Sequence, residues 1–260
     1  NAARIVATIA SSASKSAPDA ISPRAFAIVG RRFKSRAAST TMLAAVRAAR
    51  TSTVLALADS ALLAAKRAGR DRVLKFEGAF HGGNDATLFN TSYGDVPTWA
   101  AAPVPTPDTP GTARSEAANV ITAPYDDIDA TRAIAIAHRG ELAAILCEPV
   151  MRGIAARPGF LEGLRDLADE IHVPLVFDEV ITGFRLGLGG AQGHYGVTPD
   201  LALFGKALGS GFPIGVIAGS EEVMAPLDPG APDGIRVVAE GSTLANPLSA
   251  TAALATLDIL

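Results

Sequence analysis

The feature that most restricts this chain is a pair of short, wholly apolar runs, each ending in ionisable residues. Val173, Leu175, Val176 and Phe177 form the first, which hands over to Asp178-Glu179; Leu201, Ala202, Leu203 and Phe204 form the second, which hands over to Gly205-Lys206. Continuous apolar runs of this length with β-branched members read as strands covered on both faces, the pattern of a mostly parallel sheet with helices on either side. In open α/β sheets the carboxyl edge of the strands is where ligands bind. The two runs therefore predict one carboxylate and one amine delivered to a common crevice. A lysine set among apolar residues and glycines loses its proton more easily, because removal from water disfavours the ammonium, and the neutral amine condenses with aldehydes. Taken singly, the acidic pair reads equally well as a helix cap or a solvated loop, and the lysine as a surface charge. The joint pattern is what singles them out.

Composition narrows the classes. With 260 residues, 48% hydrophobic and 19% charged, the chain can bury a substantial core as one large or two small domains. No stretch approaches the roughly 18 uninterrupted apolar residues of a membrane span, so no membrane partner is expected. The single cysteine, Cys147, excludes an internal disulfide and fits a reducing compartment; inside LAAILCEP it reads as a small buried thiol. Net charge is only −3, but residues 1–70 carry twelve Lys or Arg against two acids, and the remainder eleven against twenty-four, giving +10 and −13. A basic, Ser/Ala/Arg-rich, acid-poor opening has the composition of an organellar transit segment. A nucleic-acid arm is the weaker reading, because interleaved aromatics and glycines are missing. A third reading is that this stretch is not native coding sequence. Residues 1–66 are accordingly set apart as an atypical basic segment, disordered or unlike the rest, and residues 67–260 as the folded domain.

The stretch FDEVITGFRLGLGGAQGHYGVTPDLALFGKALGSGFPIG resembles the core of the class III, fold type I pyridoxal-phosphate aminotransferases. The FDEV and GK elements are general to that class. The run TGFR, LGGAQ, HYGV and PDL is most similar to its glutamate-1-semialdehyde 2,1-aminomutase branch, and the likeness extends from about Arg70 to Leu260. The resemblance implies an α/β fold: the fold type I large domain, a mostly parallel central sheet with helices on both faces. It implies pyridoxal 5'-phosphate as cofactor, held by Lys206 as the amine that bonds to it, with Asp178 facing its pyridine nitrogen and Val180 beneath its ring. These two, Lys206 and Asp178, are the catalytic candidates.

Other site residues follow along the chain. Arg72 to Glu77 alternates like a strand and leads into GAFHGGND, where relatives carry an aromatic and His-Gly. Phe80 is therefore the candidate for stacking on the cofactor, with His81 beside it; ordinary core is the alternative for Phe80. The proline-rich stretch from Thr87 to Ala118 is expected to be a long irregular connection, and the resemblance implies a gate there. Asp127 suits a helix cap near Ala130. Leu142 to Cys147 reads as a buried strand ending at Glu148, a supporting polar group of the site or a structural hydrogen-bond acceptor. A helix is expected over the Phe160, Leu164, Leu167, Ala168, Ile171 periodicity. Arg185 is open between a substrate carboxylate and a structural ion pair, and the glycine-rich connection through His194 and Tyr195 carries no assignment. Ser242 and Thr243, before Asn246-Pro247 and an expected amphipathic helix, are the candidates implied to bind the phosphate of a partner subunit's cofactor. The Ser-Gly-Thr element that relatives use for the other half of that phosphate site is absent from its usual place; Ala58-Asp59-Ser60-Ala61 is its nearest counterpart.

The implied function is amino-group transfer of the aminomutase type, converting glutamate 1-semialdehyde to 5-aminolevulinate for tetrapyrrole synthesis. A class III transaminase acting between an amine or amino acid and a keto acid is the alternative, favoured by the less typical VMRGIAARPGF after Glu148-Pro149. A non-catalytic fragment is the third reading. A chain that starts at Asn1 and stops inside the last helix is expected to be the large domain of a longer protein. Small amino or keto substrates, a homodimer with shared sites, no nucleic acid, no metal, and a cytoplasmic or plastid location complete the expectations.

Overall fold

The computed structural model of the chain describes residues 69–91, 103–224 and 246–260. Residues 1–66, Ser242 and Thr243 lie outside them. The central sheet is built from β1 (Arg72–Phe76), β2 (Val120–Ala123), β3 (Leu142–Cys147), β6 (Leu175–Asp178), β7 (Leu201–Phe204) and β8 (Val216–Gly219), in the order β2-β1-β3-β6-β7-β8. All neighbours are parallel except β8, which runs antiparallel to β7. A small antiparallel ribbon of β4 (Val150–Met151) and β5 (Ile154–Ala155) follows β3.

Alternation along each strand sorts the apolar residues into two layers. Leu74, Phe76, Ile145, Cys147, Leu175 and Phe177 face one side, where α2 (Phe160–Ile171) covers them with Phe160, Leu161, Leu164, Leu167 and Ile171. Helix α1 (Ile128–Ala137) packs beside α2, started by Asp127, whose side chain accepts from the Ala130 amide at 2.9 Å. Further along the same side, Ala202, Phe204, Val216 and Ala218 meet Ala253 and Leu257 of α5 (Pro247–Ile259). The other side carries Val73, Ala144, Leu146, Val176, Leu201, Leu203 and Ile217, joined by Val223 and Met224 of the short α4 (Glu221–Met224). The wholly apolar strand runs are thus wholly buried, as their sequence predicts.

Two expectations need correction. The glycine-rich connection before Gly196 contains a helical turn and a half, α3 (Gly190–Tyr195), whose cause is a buried carboxylate described below. Helix α5 is not amphipathic. Apolar residues lie all round it, leaving Leu248 and Ile259 exposed, because small residues, Ser249 and Ala253, are what it presses against the rest of the chain.

Gly163 shows how closely α1 and α2 meet: a β-carbon there would lie 2.6 Å from Ile128 Cγ1. Replacing a helical glycine by alanine ordinarily stabilises, by about 0.5–1 kcal/mol. Here the overlap with Ile128 decides the sign. Gly163→Ala is expected to destabilise by about 1–3 kcal/mol in denaturant unfolding, and Ile128→Ala in the same chain to remove most of that penalty. Additivity of the two changes would show that no such contact exists.

Candidate active site

The parallel register of β3, β6 and β7 brings three strand ends to one edge. Cys147 pairs with Phe177, so Glu148 follows beside Asp178; Asp178 pairs with Leu203, so Lys206 stands three residues past its partner on the adjacent strand. The Glu179 amide extends the ladder to the Leu203 carbonyl at 2.9 Å. The two tips also touch. A β-carbon on Gly205 would lie 3.6 Å from Val180 Cγ1 and 3.2 Å from the Ile214 carbonyl oxygen, so Val180 packs against the backbone that immediately precedes Lys206.

Asp178 is only 7% exposed. Its Oδ2 lies 2.9 Å from His81 Nδ1, and its Oδ1 accepts from the Val180 amide at 3.1 Å. An ionised carboxylate only accepts, so Nδ1 is the nitrogen that carries the proton. Each carboxylate oxygen keeps a lone pair for one further donor. Among the described residues His81 Nε2 is buried without a hydrogen-bond partner, an uncommon condition for a buried polar atom.

Glu148 Oε1 accepts from the Phe80 amide at 2.8 Å and Oε2 from the Arg152 amide at 3.0 Å. Burial pushes its carboxyl above the usual range, against the pull of His81, while Asp178 reinforces the rise. Glu148 thus follows β3 beside Asp178 and accepts structural hydrogen bonds. Phe80 is half-buried at the same edge. Lys206 is exposed and opens a 3-10 turn over Lys206–Gly209 with a backbone φ of +42°. A non-glycine residue held in the left-handed region costs on the order of 1–3 kcal/mol, and such residues concentrate at functional sites. Arg185 is exposed and makes no ion pair among the described residues; it lines a cleft of about 440 Å³ with Phe184, Ala207, Ser210 and Thr256.

The two members of the acidic pair part company. Consecutive residues at a strand end point to opposite sides, and Glu179, fully buried, turns away from Asp178 to hold the following loop. It accepts from Thr182 Oγ1 at 3.1 Å, the Ala191 amide at 2.5 Å and Gln192 Nε2 at 2.9 Å. Those bonds fasten the start of α3 and explain why glycine-rich sequence turns helical there.

A second buried charge escapes sequence reading altogether. Lys75, in the middle of β1, is completely buried, and its Nζ donates to the carbonyls of Ala79 at 2.9 Å, Thr87 at 3.0 Å and Phe89. Burial pushes this ammonium down to about 7, against the pull of Asp108 and Glu148.

With this geometry fixed, similarity to known proteins can be weighed. The aminotransferase class-III model matches residues 33–260. The chain belongs to the aminotransferase class-III family. It is 45% identical over 202 residues to the glutamate-1-semialdehyde 2,1-aminomutase of Roseiflexus castenholzii (strain DSM 13941 / HLO8), covering 76% of this chain and 44% of that protein. Among solved structures, an omega-transaminase from Sphaerobacter thermophilus superposes with a TM-score of 0.78 at 34% identity, covering 93% of this chain and 55% of the other. A glutamate-1-semialdehyde-aminomutase variant from Pseudomonas aeruginosa PAO1 in complex with PMP superposes with a TM-score of 0.68 at 26% identity, covering 90% and 49%. The chain thus spans about half the length of the relatives it matches. The family's cofactor is pyridoxal 5'-phosphate, and the residues present fit it: a buried carboxylate with acceptor capacity to spare, a buried imidazole nitrogen without a partner, and an exposed lysine on the adjoining strand tip.

Two expected outcomes follow. Gly190 has φ +59° and a β-carbon there would lie 2.4 Å from Glu179 Oε2. Gly190→Ala is expected to lower stability by about 2–4 kcal/mol in denaturant unfolding, and unchanged unfolding would contradict the account of α3. For Lys75, the folded value near 7 lies below the ordinary 10.5. Below pH 7 both states hold the proton and the burial penalty is complete; between about 7 and 10.5 the unfolded chain binds more protons, so this group makes stability rise with pH. In Lys75→Met that rise is expected to be missing when unfolding free energies are compared across the window.

Proposed function

We propose that this chain forms the cofactor-holding part of a pyridoxal-phosphate-dependent enzyme that moves amino groups, and that its reaction is the aminomutase one. The observation that carries the reading is the buried His81–Asp178 pair at the tip of β6, with Lys206 supplied by the adjoining tip of β7. The cofactor supplies an aldehyde that takes up amines and a ring that draws electrons from the bond to be broken. Asp178, held by His81 and by the Val180 amide, is placed to accept a hydrogen bond from a protonated ring nitrogen and to stabilise its charge. Lys206, exposed at the edge, takes up and returns the proton at the substrate carbon that bears the amine, as general base and then acid. Phe80 and Val180 supply apolar contact to the two ring faces. Glu148 supports the Phe80 side. Ser242 and Thr243 contribute to the phosphate of a neighbouring subunit in a cytoplasmic homodimer.

The aminomutase reading moves the amino group between adjacent carbons of glutamate 1-semialdehyde, giving 5-aminolevulinate. It is supported by the 45% identity to the Roseiflexus aminomutase. Exchange of an amino group between two molecules is the second reading, favoured by the 34% identity and high structural similarity to the omega-transaminase.

Borohydride reduction after incubation with pyridoxal phosphate is expected to fix one label per chain, on Lys206, and Lys206→Ala to lose both the label and about 10²–10⁴-fold of turnover. Label spread over several lysines overturns the assignment. Incubation with glutamate 1-semialdehyde and no keto acid then separates the two reactions: 5-aminolevulinate establishes the aminomutase, and product only on addition of a keto acid establishes the transaminase.

A further inference from the structure

The peptide plane that joins Ala79 to Phe80 is gripped from both sides. Its carbonyl accepts from Lys75 Nζ at 2.9 Å, and its N–H donates to Glu148 Oε1 at 2.8 Å. Lys75 gives its remaining protons to the carbonyls of Thr87 and Phe89, on the returning limb of the same segment. Glu148 gives its second oxygen to the Arg152 amide. Both groups are buried, and among the described residues each bonds to backbone and not to the other. A buried lysine is costly, and nothing in the packing of β1 demands one, since a strand position takes a methionine of similar length. What only an ammonium supplies is three N–H donors in tetrahedral array. A planar guanidinium cannot match that geometry, and an apolar residue would take a donor from three carbonyls, of which only that of Thr87 is also met by a backbone amide, Phe89 N–H at 2.9 Å, among the described residues.

We propose that Lys75 is a positioning residue: acting with Glu148 across the Ala79–Phe80 peptide, it fixes the direction in which Phe80 and His81 leave β1 and so presents both to the cofactor ring. The last step rests on the function proposed above, whereas the clamp is a property of the chain by itself. A peptide plane held at both its oxygen and its hydrogen cannot rotate about its flanking bonds, so the Cα–Cβ direction of Phe80 is set from behind. His81 is then fixed from in front by Asp178. Backbone bonds close this segment near its ends, from the Gly78 amide to the Asn90 carbonyl at 2.7 Å and from the Leu88 amide to the Asn84 carbonyl at 3.0 Å, while Gly78 and Gly82 sit at positive φ on either side of the Ala79–Phe80 peptide that the two side chains grip.

Amide hydrogen exchange of the cofactor-free chain tests the clamp, and cofactor affinity tests its use. In the wild type the Phe80 amide is expected to be protected by at least about tenfold over its intrinsic rate. In Lys75→Met it is expected to lose about tenfold or more, with the Val176 and Phe177 amides in β6 unchanged. Titration with pyridoxal phosphate, followed by its visible absorption and circular dichroism, is expected to show affinity weakened about tenfold and the induced ellipticity reduced. A folded Lys75→Met chain with wild-type Phe80 protection overturns the clamp; lost protection with unchanged affinity and ellipticity overturns the link to the cofactor. If Lys75→Met does not fold, the wild-type measurement decides alone, and an unprotected Phe80 amide rejects the proposal. A wild-type chain that takes up no pyridoxal phosphate defeats the functional reading and leaves the exchange result standing.

Discussion

Everything at the site depends on the parallel register of β3, β6 and β7. A parallel ladder places equivalent ends on one edge, and it buries both faces of each strand, which forces the strands to be short and apolar until the last residue. In these three strands charge appears only at the carboxyl end, where the chain leaves the sheet. Glu148, Asp178 and Lys206 are neighbours for that reason and not through any affinity for one another: their Cα positions are set by backbone hydrogen bonds between Ile145, Val176 and Leu201 and their partners. A slip of one residue in β6 would exchange Asp178 for Glu179 at the crevice and turn the Phe177 side of the strand onto the wrong helical layer.

Around that edge the structure accepts an unusual load of buried charge. Lys75, His81, Glu148, Asp178 and Glu179 are all at most 8% exposed. Burial of this kind is tolerable only when each group is answered by donors or acceptors; most of the answers come from backbone, and His81, Thr182 and Gln192 add side-chain partners to Asp178 and Glu179. Lys75 meets carbonyls; Glu148, Asp178 and Glu179 meet amides. Side chains that bind backbone convert a loop into something as definite as a strand. The edge therefore owes its rigidity to polar bonds over the sheet's apolar layers, and His81 Nε2 is the one imidazole nitrogen within it that the chain leaves unanswered.

Much of this was legible in the amino-acid sequence. Apolar runs of four to six residues fix strands because no other element hides them, and the Phe160 to Ile171 periodicity fixes a helix because five large side chains share a stripe. The catalytic candidates were legible because strand ends are where ligands meet parallel sheets. Spacing alone did not separate Asp178 from Glu179; the family resemblance singled out Asp178, and the side-to-side alternation of the strand supplies the physical reason the two part. The helical turn at Gly190 was hidden because its cause is Glu179, eleven residues earlier in the chain. Lys75 was invisible because a lysine in an alternating strand is indistinguishable, in sequence, from one facing water. The wrapped nature of α5 was misread because its small residues, and not its large ones, make its contact.

The single antiparallel strand has a topological effect. After β1, β3 and β6 the chain must cross back over a face of the sheet to begin its next strand, so their outgoing segments are tied to the edge at one end only. After β7 it does not cross. Residues 205–215 begin and finish at the same rim, secured on one side by β7 and on the other by β8 through the pairing of Phe204 with Val216. Lys206 consequently sits in a closed arch sprung between two adjacent sheet positions, in which a shift of its backbone pulls on both footings at once.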